Sequence, residues 1–267
     1  MWRHSPPGRV NRPAAFAVAA TALAMVAAGC GSAAKTVPPP PNGVGTRVSG
    51  DPVPARIRHL PLVDQHGHRT DLAAFRGKVV VISDSMTLCQ ETCPLDTANL
   101  VQTARDIDRQ KAGAKVEFLT ITVDPRRDTP AQLAAYRRLY GAPANWRVLT
   151  GTRADITALW QYFGVWYKKV PETSSSATNW RTGKRLTYDV NHADEIFFLD
   201  GHGDERYILD GAAHVEPGTN LPPKLRRFLD SDGRKNLRHP ESGSWTVPQA
   251  VHAVSWLLQR RLTATSA

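Results

Sequence analysis

Two short apolar runs, residues 78–83 (KVVVIS) and 116–123 (VEFLTITV), constrain what this chain can fold into more than any other feature. Both are rich in β-branched residues and bounded by polar ones, the pattern of strands buried at the centre of a sheet. Between them Pro94 stands at a favourable first helical position, and Leu95, Ala98, Val101, Ala104 and Ile107 recur at helical spacing. Strand, loop, helix, strand is the order of a βαβ unit.

The rest of the chain extends that unit. Residues 57–63 and 69–70, on either side of Asp64-Gln65-His66-Gly67, read as a small hairpin. Thr129 caps a helix with Pro130 in its first turn, running to about Tyr140 before Gly141. Residues 146–149 read as a brief strand, and residues 153–163 as a helix with Ile156, Leu159, Trp160 and Phe163 on one face and Gly164 as its stop. Residues 171–185 are polar and loop-like. Residues 196–199 and 206–209 flank Asp200-Gly201-His202-Gly203, a hairpin signal. A final helix from about Pro248 carries Val251, Val254, Leu257 and Leu258. Ahead of it, residues 212–246 read as an added, basic loop segment. The sum is an α/β protein with a central mixed sheet flanked by helices, and it looks like a thioredoxin fold.

The N-terminus reads as an export signal over residues 1–29. Arg3, Arg9 and Arg12 precede an apolar stretch at 14–28, shorter than the roughly 20 residues a membrane span needs. Ala27-Ala28-Gly29-Cys30 resembles the signal-peptidase II site of bacterial lipoproteins, which makes Cys30 the expected lipid attachment point. The alternative is a single N-terminal membrane anchor. Residues 30–54, with six prolines and four glycines, are expected to be a tether for a domain over 55–267. The expected location is extracytoplasmic, held to the membrane by lipid. The formal charge of +10 does not argue for nucleic acid: the three early arginines, and an excess of eight basic over three acidic residues in 221–267, leave only two positive charges on everything between.

Of three cysteines, lipidation of Cys30 leaves one pair, Cys89 and Cys93. A bond between them would close a tiny loop and remove little unfolded-state entropy, so the pair points to chemistry. At the start of the helix both sulfurs are expected to face the positive end of its dipole, which favours thiolate, and two thiolates form a soft bidentate site. Three intervening residues open the pair wider than the Cys-x-x-Cys of disulfide exchangers, which favours holding a metal over shuttling electrons. A passive local disulfide is the alternative that spacing leaves open.

The segment Thr87-Leu88-Cys89-Gln90-Glu91-Thr92-Cys93-Pro94, then Thr122-Val123-Asp124-Pro125 through Arg127-Asp128-Thr129-Pro130, then residues 146–151, then Asp189-Val190-Asn191-His192 before a strand ending at Asp200-Gly201, resembles the Sco/SenC family in content and order. Those proteins have a thioredoxin-like fold, bind copper and help assemble the dinuclear copper centre of cytochrome c oxidase. The resemblance implies Cys89, Cys93 and His192 as copper ligands. It implies as partners cytochrome c oxidase subunit II or another exported copper protein, a thiol reductant and the membrane, and no nucleic acid. The alternatives are a thiol-disulfide reductase using Cys89 and Cys93, and a copper- or redox-sensing lipoprotein.

Position supports His192 separately, because the start of the strand after it lies beside the cysteine loop in a thioredoxin-like sheet. Two thiolates and an imidazole suit Cu(I) and also accept Cu(II). The other histidines read as solvated surface residues, and Met86 as core filling rather than an accessory ligand. No proline lies between 186 and 200, where disulfide exchangers of this fold carry one. The chain departs from the family pattern at Ser85-Met86-Thr87, at Gln90 and at Asn191.

Overall fold

The first residues of the domain do not hang free. In the computed structural model, which describes residues 38–141 and 143–265, Thr46–Arg47 (β1) forms an edge strand antiparallel to residues 207–208. The Tyr207 hydroxyl donates to the Val44 carbonyl, and Val53 is fully buried. The described part of the expected tether therefore lies along the domain: proline keeps it irregular, but Val44 and Val53 give it apolar surface to bury. Cys30 and the expected signal over 1–29 lie outside the described residues.

A helical turn, Ala55–Arg58 (α1), replaces the first half of the expected strand at 57–63. The hairpin itself forms between Leu62–Asp64 (β2) and Arg69–Thr70 (β3). Its turn is held by the Asp64 carboxylate, which accepts from the His66 and His68 N–H groups at 2.8 and 2.9 Å. Next come Val79–Ser85 (β4), Cys93–Arg109 (α2) and Val116–Thr122 (β5); every residue of the two strands is buried. Pro130–Tyr140 (α3) starts at Thr129, whose hydroxyl accepts from the Gln132 N–H, and ends at Gly141 with φ 55°. Trp146–Gly151 (β6) leads to Arg153–Phe163 (α4), which stops at Gly164, φ 77°.

Tyr167–Pro171 (β7) and Tyr188–His192 (β8) pair with each other as a separate two-stranded sheet. Glu195–Leu199 (β9) and Glu205–Asp210 (β10) form the second expected hairpin. Residues 212–246 correct the expectation of a loop: they carry two helices, Pro223–Phe228 (α5) and Ser231–Arg238 (α6). Leu221, Leu225 and Leu229, four residues apart, and Trp245 are buried in the main core, which stabilises a segment that otherwise looks polar. Val247–Leu257 (α7) then packs along α2.

The large sheet runs β1-β10-β9-β4-β5-β6-β2-β3. β4, β5 and β6 are parallel, while β9 joins β4 antiparallel, giving the mixed sheet of a thioredoxin-like fold. Alternate residues supply opposite cores. Val79 and Val81 pack with α2, α3 and α7, whereas Val80 and Ile82 pack with α4 and with both cysteines. The cysteine loop thus leaves the C-terminal end of a central strand, where open α/β sheets place ligands.

Candidate metal centre

The loop from Met86 to Thr92 is held from three sides. The Cys89 N–H donates to the Met86 carbonyl at 3.3 Å, and the Cys93 N–H, one of the free donors at the start of α2, donates to Cys89 Sγ at 3.4 Å. From β5 and the turn after it, the buried Asp128 carboxylate accepts the Thr87 N–H at 3.2 Å, the Thr87 hydroxyl at 2.5 Å and the Thr122 hydroxyl at 2.6 Å. Burial pushes this carboxyl up to about 6 against the pull of its Thr122 and Thr87 hydrogen bonds. On the third side the Trp180 indole N–H donates to the Thr87 carbonyl at 2.7 Å, and Leu88 packs on Ala177 and Leu186. The polar stretch between β7 and β8 therefore closes over the cysteine loop.

The same turn at 124–130 also holds β8. Arg127 is ion-paired with Asp124, and its guanidinium donates to the Tyr188 carbonyl at 2.6 Å. The Tyr188 hydroxyl donates to Asp124 at 3.0 Å. His192 is the last residue of this strand, opposite Tyr167, rather than part of the approach to β9. Its side chain is only 5 % exposed. Nδ1 lies 2.6 Å from Asp84 Oδ2, while Asp84 Oδ1 accepts the Glu195 N–H at 3.0 Å. With Nδ1–H donated to Asp84, Nε2 faces Cys93 Sγ, 3.2 Å away, and offers a lone pair to a metal once its own proton is released.

The ligand atoms of Cys89, Cys93 and His192 all lie within 4.8 Å of one another, the one cluster of this kind among the described residues. Both cysteines are free thiols. Met86 is buried, and its sulfur faces Arg127 at 3.6 Å, which places it in the packing rather than among the ligands. The expected acidity of the thiols is corrected: burial, the largest cause, raises Cys89 well above the ordinary range and Cys93 above it. Burial works against a charged His192, but the Asp84 carboxylate and the Cys89 sulfur overcome it and hold the imidazole well above its usual range. Two soft sulfurs and one imidazole form a three-coordinate donor set suited to a soft monovalent ion; zinc would want a fourth ligand.

Sequence reasoning missed Asp84, and singled out Asp124, Arg127 and Asp128 only as part of the family pattern, without a role; all four hold the ligands or their loop in place without touching a metal. One signal was present: an acidic residue inside the doubly buried run of β4 needs a partner.

Fold and site together define a thioredoxin-like protein with a buried dithiol and histidine at the head of α2. The family model described as SCO1/SenC matches residues 54–221, and the chain belongs to that family. It is similar to "Protein SCO2 homolog, mitochondrial" of Bos taurus, 31% identical over 173 residues, covering 63% of this chain and 58% of that one. The protein of the same name from Homo sapiens is 28% identical over 147 residues, covering 53% and 49%. The chain thus spans about half the length of the curated relatives it matches. Among solved structures, Bradyrhizobium japonicum ScoI with copper bound is similar at 23% identity and a TM-score of 0.47, covering 70% of this chain and 100% of that chain. Helices α5, α6 and α7 lie beyond the matched residues.

Proposed function

We propose that this protein is an extracytoplasmic, membrane-tethered copper metallochaperone that serves the copper centre of cytochrome c oxidase. The observation that carries the reading is the approach of His192 Nε2 to Cys93 Sγ at 3.2 Å, with Nδ1 fixed by Asp84. Disulfide exchange needs only the two sulfurs, whereas an oriented imidazole beside them completes a soft three-donor set. Copper is the cargo: Cys89 and Cys93 would hold it as thiolates and His192 through Nε2, a set that suits Cu(I) and accepts Cu(II). The acceptor is subunit II of the oxidase or another exported copper protein. A thiol reductant must keep the pair open, because a disulfide is not a ligand.

Anchoring by lipid at Cys30 belongs to the same reading, and no helix among the described residues is long and apolar enough to cross a membrane. Cys30→Ala should abolish lipid labelling and membrane retention; unchanged labelling would remove the anchor from the account.

The discriminating experiment sets His192→Ala beside Cys93→Ser in a copper-transfer or oxidase-assembly assay, with disulfide reduction measured in parallel. A chaperone loses transfer in both variants. Normal transfer by the histidine variant, with failure of the cysteine variant alone, would replace copper delivery by thiol reduction.

A further inference from the structure

We propose that the β7–β8 hairpin is the docking surface for the copper acceptor, and that the acceptor presents to it an acidic segment with an apolar side chain. The inference rests on the copper-delivery reading above. Three observations carry it.

The first is Trp166, 57% exposed and the one exposed large hydrophobic residue among the described residues. It immediately precedes β7, and its carbonyl accepts the N–H of Ala193, next to the ligand His192, at 2.8 Å. Leaving an indole in water is unfavourable, and tryptophan dominates the energetics of protein interfaces when a partner covers it.

The second is a cavity of about 610 Å³ on one side of the same hairpin, floored by Tyr188 and Val190. Its rim carries Arg126, Arg153, Lys168 and Lys169, all exposed. Arg126, Arg153 and Lys168 are in no ion pair among the described residues. Lys169 lies over the Tyr188 ring at 3.9 Å. The acid that lines the cavity, Asp124, is already committed to Arg127 and to the Tyr188 hydroxyl. An apolar floor with an unneutralised cationic rim fits an apolar side chain flanked by carboxylates.

The third is the opposite flank. Strand alternation sends Lys169, Tyr188 and Val190 to the basic cavity and Asp189 and Asn191 to a second cleft, of about 730 Å³, between the hairpin, the cysteine loop and α6, with Lys168, opposite Asn191, at the edge between the two. That cleft carries Glu91, Glu172, Asp189, Asp230 and Asp232 against Arg227 and Arg234. The hairpin that ends on the metal ligand therefore separates a positive flank from a predominantly negative one. An acidic segment can approach the ligand in one orientation and is repelled in the other, the arrangement that steers encounter and fixes register.

The test uses the copper-loaded protein and two synthetic acceptor peptides that share a Cys-x-x-x-Cys pair and one phenylalanine, one flanked by Asp and Glu, the other by Lys. Copper uptake by the protein is measured first, and transfer is then timed by rapid desalting. The acidic peptide is expected to take copper about tenfold faster than the basic one at low salt, with the advantage shrinking as salt is added. Trp166→Ser and the double change Lys168→Glu/Lys169→Glu should each remove most of that advantage while copper uptake stays unchanged. Equal transfer to both peptides, or variants that behave as wild type, would overturn the docking surface. So would capture of phosphatidylglycerol vesicles through these residues with no preference between the peptides. Failure of the wild-type protein to take up copper would instead overturn the delivery reading.

Discussion

Asp84→Asn removes one charge while keeping the shape of a side chain whose two oxygens are both in use. Oδ2 takes the His192 Nδ1–H at 2.6 Å, and Oδ1 takes the Glu195 N–H at 3.0 Å. Asparagine has one acceptor oxygen and an NH2 group. If the oxygen turns toward Glu195, the NH2 faces His192 Nδ1, which keeps its proton only by donating to the Ala193 carbonyl, 2.5 Å away, and otherwise passes it to Nε2, the atom that faces Cys93. If it turns toward His192, the Glu195 N–H meets another donor inside the protein, at a cost of about 1–3 kcal/mol. The loss of an orienting carboxylate is expected to weaken copper binding about 10–100-fold, equivalent to about 1.4–2.7 kcal/mol.

Anaerobic competition against a Cu(I) chelator measures the affinity, and nitrogen chemical shifts of the His192 ring report the tautomer. In a His192→Ala background the same change should alter affinity less than about twofold, because the coupled partner is gone. Wild-type affinity in Asp84→Asn, or an equal loss with and without His192, would refute the argument.

Other consequences concern pH and the added helices. Burial raises both thiols, and Asp84 and Cys89 hold His192 high, so loading copper displaces protons. Apparent affinity should rise with pH, by up to about tenfold per pH unit for each proton released; titrations near neutrality that show no pH dependence would contradict this. Stability of the metal-free domain should run the other way. Asp128 is raised to about 6 and Glu195 to about 7, both first by burial, so their contribution is complete below the ordinary carboxylate range and is lost as pH climbs through those values. The thermal midpoint is expected to be higher near about pH 5 than near about pH 8, and Asp128→Asn should flatten the difference. At Gly233 a Cβ would fall 2.3 Å from the Gln90 carbonyl oxygen, which already accepts the Asp230 N–H at 3.0 Å. Gly233→Val should push α6 off the cysteine loop, cost about 1–3 kcal/mol and speed hydrogen exchange at Gln90 and Glu91, with copper stoichiometry unchanged.

What was legible in the sequence was what local chemistry dictates. The buried runs of β4 and β5, the Thr129 cap and Gly141 stop of α3, and the cysteines at the strand-to-helix junction all appear where pattern places them. β7 and β8 were not legible because Tyr167–Pro171 and Tyr188–His192 are half polar and include Pro171, so neither shows a buried run. Helices α5 and α6 were hidden by Pro222, Pro223, Gly233 and many charges. The spacing of Leu221, Leu225 and Leu229 was their main apolar signal, and it matters because the main core lies beneath it. The acidity of the thiols was misjudged for a related reason. A helix dipole can be read from a motif, whereas complete enclosure of Cys89 and Cys93 depends on β8 and the 172–187 connection folding over them. Asp84 and Asp128 act across more than a hundred and about forty residues of sequence, respectively, a separation at which only tertiary structure brings partners together.

The most direct test of the central claim is X-ray absorption on the reduced protein loaded with one equivalent of Cu(I), for wild type and His192→Ala. Two sulfur neighbours and one imidazole nitrogen are expected in the wild type, with the nitrogen lost in the variant and both sulfurs retained. A sulfur-only shell in the wild type, or identical spectra for the two proteins, would contradict a copper site built from Cys89, Cys93 and His192.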